Sequence, residues 1–401
     1  MADLFDKFDP MIQAREALGF EDASPIDVVM EEIISPTEAV IRGERTILAG
    51  TNNYLGLTFD PRCIRAAHEA LDAAGTGTTG SRVLNGTYTG HKALEAALGK
   101  LYGGQQCMVF STGFLANLAS IGTLAGKDDF IVIDADSHAS IYDACKMSDA
   151  TIVRFKHNDP DDLDKRLRRL DAGGRVLVVV EGLYSMLGDK APMKELVEVK
   201  NRHGAALMVD EAHSIGVFGE TGCGVVQEAG VMDDVEFVVG TFSKSVGTIG
   251  GYCVSRHPKF DILRLAARPY MFTASLPPSV VASALKAVEI LGAEPQHREK
   301  LWRNARQLHE GLCRAGFDLG APASPVVAVK IAERDMTVRL WEQLLKNGVY
   351  VNLAMPPATP QGLNLLRCSL SAAHTEEQVA TIVSTFERLA RSNSVLTKPA
   401  A

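Results

Sequence analysis

From about residue 60 to residue 240, short apolar runs alternate with longer segments in which apolar residues recur every three or four positions. The runs at 107–110, 130–134, 151–155, 176–180, 206–209 and 237–239 predict strands. The segments at 62–74, 91–102, 115–124, 141–147, 160–170 and 193–203 predict helices between them. Such strands, with little polar alternation, belong in a mostly parallel sheet covered by helices on both faces. Ahead of this region the pattern predicts an amphipathic helix over 3–19, a polar stretch with Ser24-Pro25, and a hairpin over 39–48 turning at Arg42-Gly43-Glu44. After Gly292-Ala293-Glu294-Pro295 the rhythm changes. Helix 296–315, strand 326–331, helix 336–347, a short strand near Tyr350, strand 364–368 and helix 375–391 predict a small α+β domain. The expected organisation is an amino-terminal helix and hairpin arm (1–50), a large α/β domain (51–292) and a small carboxyl-terminal domain (293–401).

Composition narrows the function classes. The 401 residues are 46% apolar and 22% charged, which suits a globular chain with a sizeable core. Lys and Arg number 41 against 49 Asp and Glu, a formal charge of −8, so the basic footprint of a nucleic-acid binder is missing. No apolar run approaches a membrane span; the best, 176–180, stops at Glu181. The first residues are rich in Asp and lack a basic segment followed by an apolar one, so a cytoplasmic chain is expected. The seven cysteines are scattered without CxxC spacing, which reads as reduced thiols and no zinc site; no metal is expected.

Three motifs mislead. Gly75-Thr76-Gly77-Thr78-Thr79-Gly80 spells GxGxxG, but it follows a predicted helix, whereas a dinucleotide fingerprint follows a strand and opens a helix. A helix C-cap and loop is the expectation. Asp210-Glu211-Ala212-His213 spells DEAH, yet the chain has no GxxxxGK[ST] string to hold phosphates. Asn85-Gly86-Thr87 is a glycosylation sequon, idle in a cytoplasmic chain.

Candidate chemistry gathers at the ends of successive strands. Thr241-Phe242-Ser243-Lys244-Ser245 opens a Gly-rich loop after strand 237–239. A lysine there suits a Schiff base, with hydroxyl and backbone donors nearby for a phosphate. Taken alone, Lys244 reads rather as a solvated loop lysine. Asp210 ends strand 206–209, with His213 three residues on. Ligands bind at that edge of open α/β sheets, and a carboxylate there can keep the ring nitrogen of pyridoxal phosphate protonated. A helix cap and an ordinary histidine are the alternatives. Ser111-Thr112-Gly113-Phe114 leaves backbone N–H groups free for a phosphate at the start of a helix, or is an ordinary βα turn. His138 follows the next strand, where an imidazole can stack on a cofactor ring or cap a helix. Each signal is weak alone, and the four share one cofactor.

With those residues in view, the chain resembles the α-oxoamine synthases, a family of fold-type-I pyridoxal-phosphate enzymes. The resemblance runs from about Phe5 to Arg391. It is carried by SPTEAVIRG (35–43), GSRVLNGT (80–87), DADSHASIYD (134–143), EGLYSMLGD (181–189), VDEAHSIGVFG (209–219), GTFSKSVGTIGG (240–251) and RPYMFTASLPPSV (268–280). RPYMFTASLPP and PPATP (356–360) are similar to the branch that joins L-serine to a long-chain acyl thioester with loss of CO2. Members that use alanine or glycine, of the 8-amino-7-oxononanoate synthase or glycine C-acetyltransferase type, are the alternative; a non-catalytic partner subunit is a remote one, since such a subunit is expected to lack the Schiff-base lysine.

The resemblance implies roles by position. Lys244 holds the cofactor and moves protons, Asp210 pairs with the ring nitrogen, His213 bonds the ring oxygen, and His138 stacks on the ring and touches the substrate carboxylate. Ser111, Thr112, Gly113, Phe114, Ser185, Thr241 and Ser243 complete the cofactor site. Thr273 reaches the phosphate from a second subunit, implying a homodimer with composite sites. Asn53 and Arg367 bind the amino-acid carboxylate. Met355 stands where several serine-specific members carry arginine. A lipid product implies at most peripheral membrane contact, and no clear anchor is present.

Overall fold

A computed structural model describes residues 3–20, 24–170 and 173–395. Its strands are β1 (Glu32–Ser35), β2 (Glu38–Ile41), β3 (Glu44–Leu48), β4 (Gln106–Phe110), β5 (Phe130–Asp134), β6 (Thr151–Phe155) and β7 (Val176–Glu181). They continue with β8 (Ala206–Asp210), β9 (Phe237–Thr241), β10 (Gly251–Ser255), β11 (Val326–Ile331), β12 (Val349–Tyr350), β13 (Asn352–Ala354) and β14 (Asn364–Ser369). The described residues fall into two compact units, one of 52–303 with 371–373, the other of those up to Thr51 with 304–370 and those from His374 on. The sequence pattern put its breaks at 50 and 292. The units change over at 51/52 and at 303/304, inside the helix Gln296–Ala315, and the described residues up to Thr51 count with the carboxyl-terminal unit.

The larger unit is built on a seven-stranded sheet ordered β4-β10-β9-β8-β7-β5-β6. β5 to β9 pair in parallel, and β10 lies antiparallel between β4 and β9. Six strands therefore point the same way, and the ends of β4, β5, β7, β8 and β9 share one edge. The central strands are buried along nearly their whole length, as both-face cover requires. Met108, Ile131, Ile133, Val179, Met208 and Val239 pack with Ala116, Ile121, Ile141 and Ala144 of the helices that follow β4 and β5.

Local signals set the helix ends. Asp60 caps the helix Pro61–Ala74, accepting from the Arg62 N–H at 2.8 Å, and Pro61 needs no partner at the first turn. Gly75 ends that helix with φ +75°, so the first glycine of the GxGxxG string is a C-cap, as expected.

The smaller unit holds the antiparallel sheet β11-β14-β13 and the sheet β1-β2-β3-β12, in which β12 runs parallel to β3. The expected hairpin is the β2–β3 pair, with Glu38 opposite Ile47 and Ile41 opposite Glu44, and β1 adds a strand the pattern did not predict. The helix expected over 3–19 is shorter, a 3-10 turn at Asp6–Phe8 followed by Asp9–Glu16. No helix of the described residues is long and apolar enough to cross a membrane.

Candidate active site

At the shared strand edge of the larger unit lies a cavity of about 310 Å³. Its lining includes Thr112, Gly113 and Phe114 after β4, His138 after β5, Asp210 and His213 from β8 and its loop, and Thr241, Ser243 and Lys244 at the end of β9. The four strand-end motifs thus converge on one space.

One wall is a small-residue cradle. Thr112 caps the helix Gly113–Leu124, its Oγ1 accepting from the Leu115 N–H at 3.0 Å. A Cβ on Gly113 would lie 2.8 Å from Thr241 Cβ, so only glycine lets the turn approach β9 this closely. Thr241 Oγ1 donates to the Gly250 carbonyl at 3.0 Å and lies 2.9 Å from Ser243 Oγ. Ser111 Oγ is buried without a protein partner.

The opposite wall carries the charge. Asp210 is 5% exposed. Its Oδ1 accepts from the Ala212 N–H at 2.9 Å and its Oδ2 from Asn117 Nδ2 at 2.7 Å. Asn117 Nδ2 also donates to Ser140 Oγ at 2.9 Å, and Ser140 Oγ lies 2.8 Å from His138 Nδ1. Because the Ser140 N–H donates to His138 Nδ1, that nitrogen is an acceptor and the ring proton sits on Nε2. Burial holds the His138 imidazole below its usual range, the Asp210 charge opposing this and Lys244 reinforcing it. His138 is further fixed by its N–H, which donates to Glu181 Oε1 at 2.6 Å. Burial pushes the Glu181 carboxyl well above the ordinary range, the Asp210 charge adding to it. Nδ1 of His213 meets the Tyr54 hydroxyl at 2.7 Å.

The class I and II aminotransferase family model matches residues 45–386. The chain belongs to this family. The serine palmitoyltransferase of Sphingomonas paucimobilis is 54% identical over 399 residues, spanning 98% of this chain and 94% of that one. A solved Sphingomonas wittichii serine palmitoyltransferase matches with a TM-score of 0.96 at 57% identity, covering 98% of this chain and 100% of the other. A solved Sphingomonas paucimobilis serine palmitoyltransferase variant with a bound PLP–myriocin aldimine matches at TM-score 0.96 and 53% identity, with the same coverage. The 8-amino-7-oxononanoate synthase of Geobacter metallireducens is further away, at 38% identity over 90% of this chain. Within the aminotransferase family this chain therefore falls in the serine palmitoyltransferase branch, and its fold is that of a fold-type-I transferase.

The cavity fits the cofactor of such a family. Ser111 Oγ and the hydroxyls of Thr241 and Ser243 lie beside a helix start that Gly113 brings against β9, which suits a phosphate. Asp210, held as a hydrogen-bond acceptor on both oxygens, suits a protonated ring nitrogen.

Five expected residues, Ser111 among them, are not in the lining of this cavity. Ser185 sits on the loop after β7, outside the lining. Thr273 lines a separate narrow hollow with Arg82, His91, Ser111 and Ser275. Asn53 donates to Thr58 Oγ1 at 2.7 Å, while its Oδ1 is buried without a partner. Arg367 lies in the smaller unit, where its Nη1 donates to Ser369 Oγ at 2.8 Å; Met355 is in that unit as well. Asn117, Ser140 and Glu181 are lining residues the motif reading missed. The lone amide in the largely apolar GFLANLASIGTL helix was the available signal for Asn117.

Proposed function

We infer that this chain is a pyridoxal 5'-phosphate-dependent serine C-palmitoyltransferase. It condenses L-serine with a long-chain acyl thioester of the palmitoyl-CoA type, releases CO2, and forms 3-ketosphinganine, the first step of sphingolipid synthesis. The observation that carries this reading is the single cavity uniting Lys244, Asp210, His138 and the Gly113–Thr241 cradle. Pyridoxal phosphate bound there supplies an electron sink for the pair left when a bond to the serine α-carbon breaks.

The chain's own groups do the rest. Thr112, Gly113, Phe114, Thr241 and Ser243, with Ser111 beside them, hold the phosphate. Asp210 keeps the ring nitrogen protonated, and His213 donates to the ring oxygen. His138 offers a neutral planar face, its tautomer set by Ser140. Lys244, with its amine free, would take the α-proton and return one to the product. Asn53 and Arg367 orient the serine carboxylate for loss; an arginine holds a carboxylate through paired, charge-assisted bonds. Arg367→Ala should therefore weaken serine binding at least about tenfold and leave cofactor content unchanged. Thr273, outside the Lys244 cavity, supports a homodimer in which each subunit completes its partner's phosphate site.

The test is an absorbance titration of the holoprotein with serine, alanine and glycine, followed by product analysis with palmitoyl-CoA. Serine alone should shift the cofactor band strongly and yield the C18 ketoamine, ~18 carbons being the sum of palmitoyl and decarboxylated serine. A band that answers to alanine or glycine and ignores serine would move the chain to another branch.

A further inference from the structure

A histidine outside the cavity bridges the turn that carries His138 and the loop that follows β7. His157 follows β6, and both its ring nitrogens face carboxylates. Nδ1 lies 2.8 Å from Asp134 Oδ1 and Nε2 lies 2.6 Å from Asp189 Oδ2. A carboxylate accepts hydrogen bonds and does not donate them when ionised, so two such contacts require a proton on each nitrogen, which is an imidazolium.

The two aspartates belong to different elements. Asp134 ends β5 and opens the turn that carries His138; its Oδ1 also accepts from the Asp136 N–H at 2.8 Å, inside that turn. Asp189 closes the loop after β7 that carries Ser185, and Tyr184, whose N–H donates to the Asp189 carbonyl at 2.9 Å, presents its ring edge-on to His157, with centroids 4.5 Å apart. Asn158 repeats the bridge. Its N–H donates to Asp134 Oδ2 at 2.9 Å and its Nδ2 to Asp189 Oδ2 at 2.8 Å. Asn158 adopts φ +50° to do so, a left-handed conformation that asparagine tolerates better than most residues.

We propose that His157 is a cationic positioning residue that locks the His138 turn to the Ser185 loop. It touches none of the groups lining the cavity and acts through Asp134 and Asp189. Among the described residues, the titratable groups facing it are Asp134, Asp189 and Tyr184, with Asp136 at 3.8 Å. Burial works against its charge, but the hydrogen bonds to Asp134 and Asp189 and their charges prevail and push the imidazole up to about 10. The consequence for catalysis rests on the acyltransferase reading above.

Two measurements separate the parts. In holoprotein carrying nitrogen-15 histidine, the His157 ring, assigned by its disappearance in His157→Gln, should keep imidazolium shifts from about pH 6 to about pH 9. A ring that titrates near ~6.5 would overturn the proposal whatever the protein catalyses. His157→Gln should lower kcat at least about tenfold while cofactor content and serine KM stay within about twofold. Adding Asp189→Asn should recover most of that loss, because the uncharged amide then faces one carboxylate instead of two. An unchanged kcat in the single variant, or a double variant no better than the single, would refute the positioning role. A wild-type protein that ignores serine would sink the acyltransferase reading and leave the histidine spectrum to decide the clamp.

Discussion

Asp134 and Asp210 end two strands of one sheet and are both buried, yet their surroundings differ in kind. Asp134 is met by an imidazolium and two backbone N–H groups, those of Asp136 and Asn158, and it does not line the cavity. Asp210 is met by a side-chain amide and a backbone N–H, and it does. Hydrogen bonds from neutral donors stabilise a carboxylate without cancelling its charge. Asp210 can thus direct its charge at a ring nitrogen, whereas the charge of Asp134 is used inside the fold. The same residue type at the same sheet edge is architecture in one place and chemistry in the other, and the partner decides which.

The largest expected effect breaks the architectural half. Asp134→Asn leaves the half-buried imidazolium with Asp189 as its one hydrogen-bonding carboxylate and should cost about 3 kcal/mol of stability. Urea unfolding measures it, and a loss under about 1 kcal/mol would show that the pair contributes little. Next, Asp210→Asn should leave the unfolding midpoint near that of wild type and cut turnover about 10²–10³-fold, the scale of removing one preorganised electrostatic group. If the two variants traded places, with Asp134→Asn dead but stable, the contrast would be wrong. The third effect is a pH signature. His157 is raised from 6.5 to about 10 in the folded state, so its contribution is fully present below about 6.5 and is lost as pH rises through 10. The stability gap between wild type and His157→Gln should therefore narrow across that window, by at most ~1.4 kcal/mol per pH unit. A gap that widens with pH would contradict the charge assignment.

Legibility in the sequence divides along the same line. Lys244, His138 and Asp210 could be found because each follows an apolar run that identifies itself as a strand, and a strand end is a place the sequence marks. Glu181 lay within a recognised stretch, but its use depends on β7 lying beside β5, and strand order is not written locally. The His157 bridge is hidden for the same reason: it joins residues 134, 157 and 189 only because the order runs β7-β5-β6. β10 escaped because Gly250 and Gly251 break the apolar run and its antiparallel insertion spoils the strand–helix rhythm. The glycines have a local cause: a Cβ on Gly251 would meet the Thr112 carbonyl at 2.5 Å, so β10 can close against the phosphate cradle only without one.

The smallest effect sharpens the comparison most, because it alters the neutral partner of Asp210 and spares the carboxylate. Asn117 splits its two amide hydrogens between Asp210 Oδ2 and Ser140 Oγ. The Ser140 hydroxyl must then spend its own hydrogen on His138 Nδ1, which also receives the Ser140 N–H. One amide therefore steadies the carboxylate and steers the Ser140 hydroxyl hydrogen toward the imidazole. In Asn117→Leu both bonds go, and a charge-assisted hydrogen bond contributes about 1.5–3 kcal/mol. Part of that loss falls on substrate-free and reacting states alike and does not affect rate, so turnover should fall only about tenfold, corresponding to ~1.4 kcal/mol. Asn117→Asp should do worse than Asn117→Leu, since it sets a second carboxylate against Asp210. The nitrogen-15 shifts of His138 give a readout that simple loss of packing would not move: Nδ1 keeps the Ser140 N–H in both variants, but its shift should move in Asn117→Leu, where the Ser140 hydroxyl is free to turn away, and stay in place in His157→Gln. Equal turnover in Asn117→Leu and wild type would mean that Asp210 needs no neutral donor from the helix, and that the cavity alone fixes its charge.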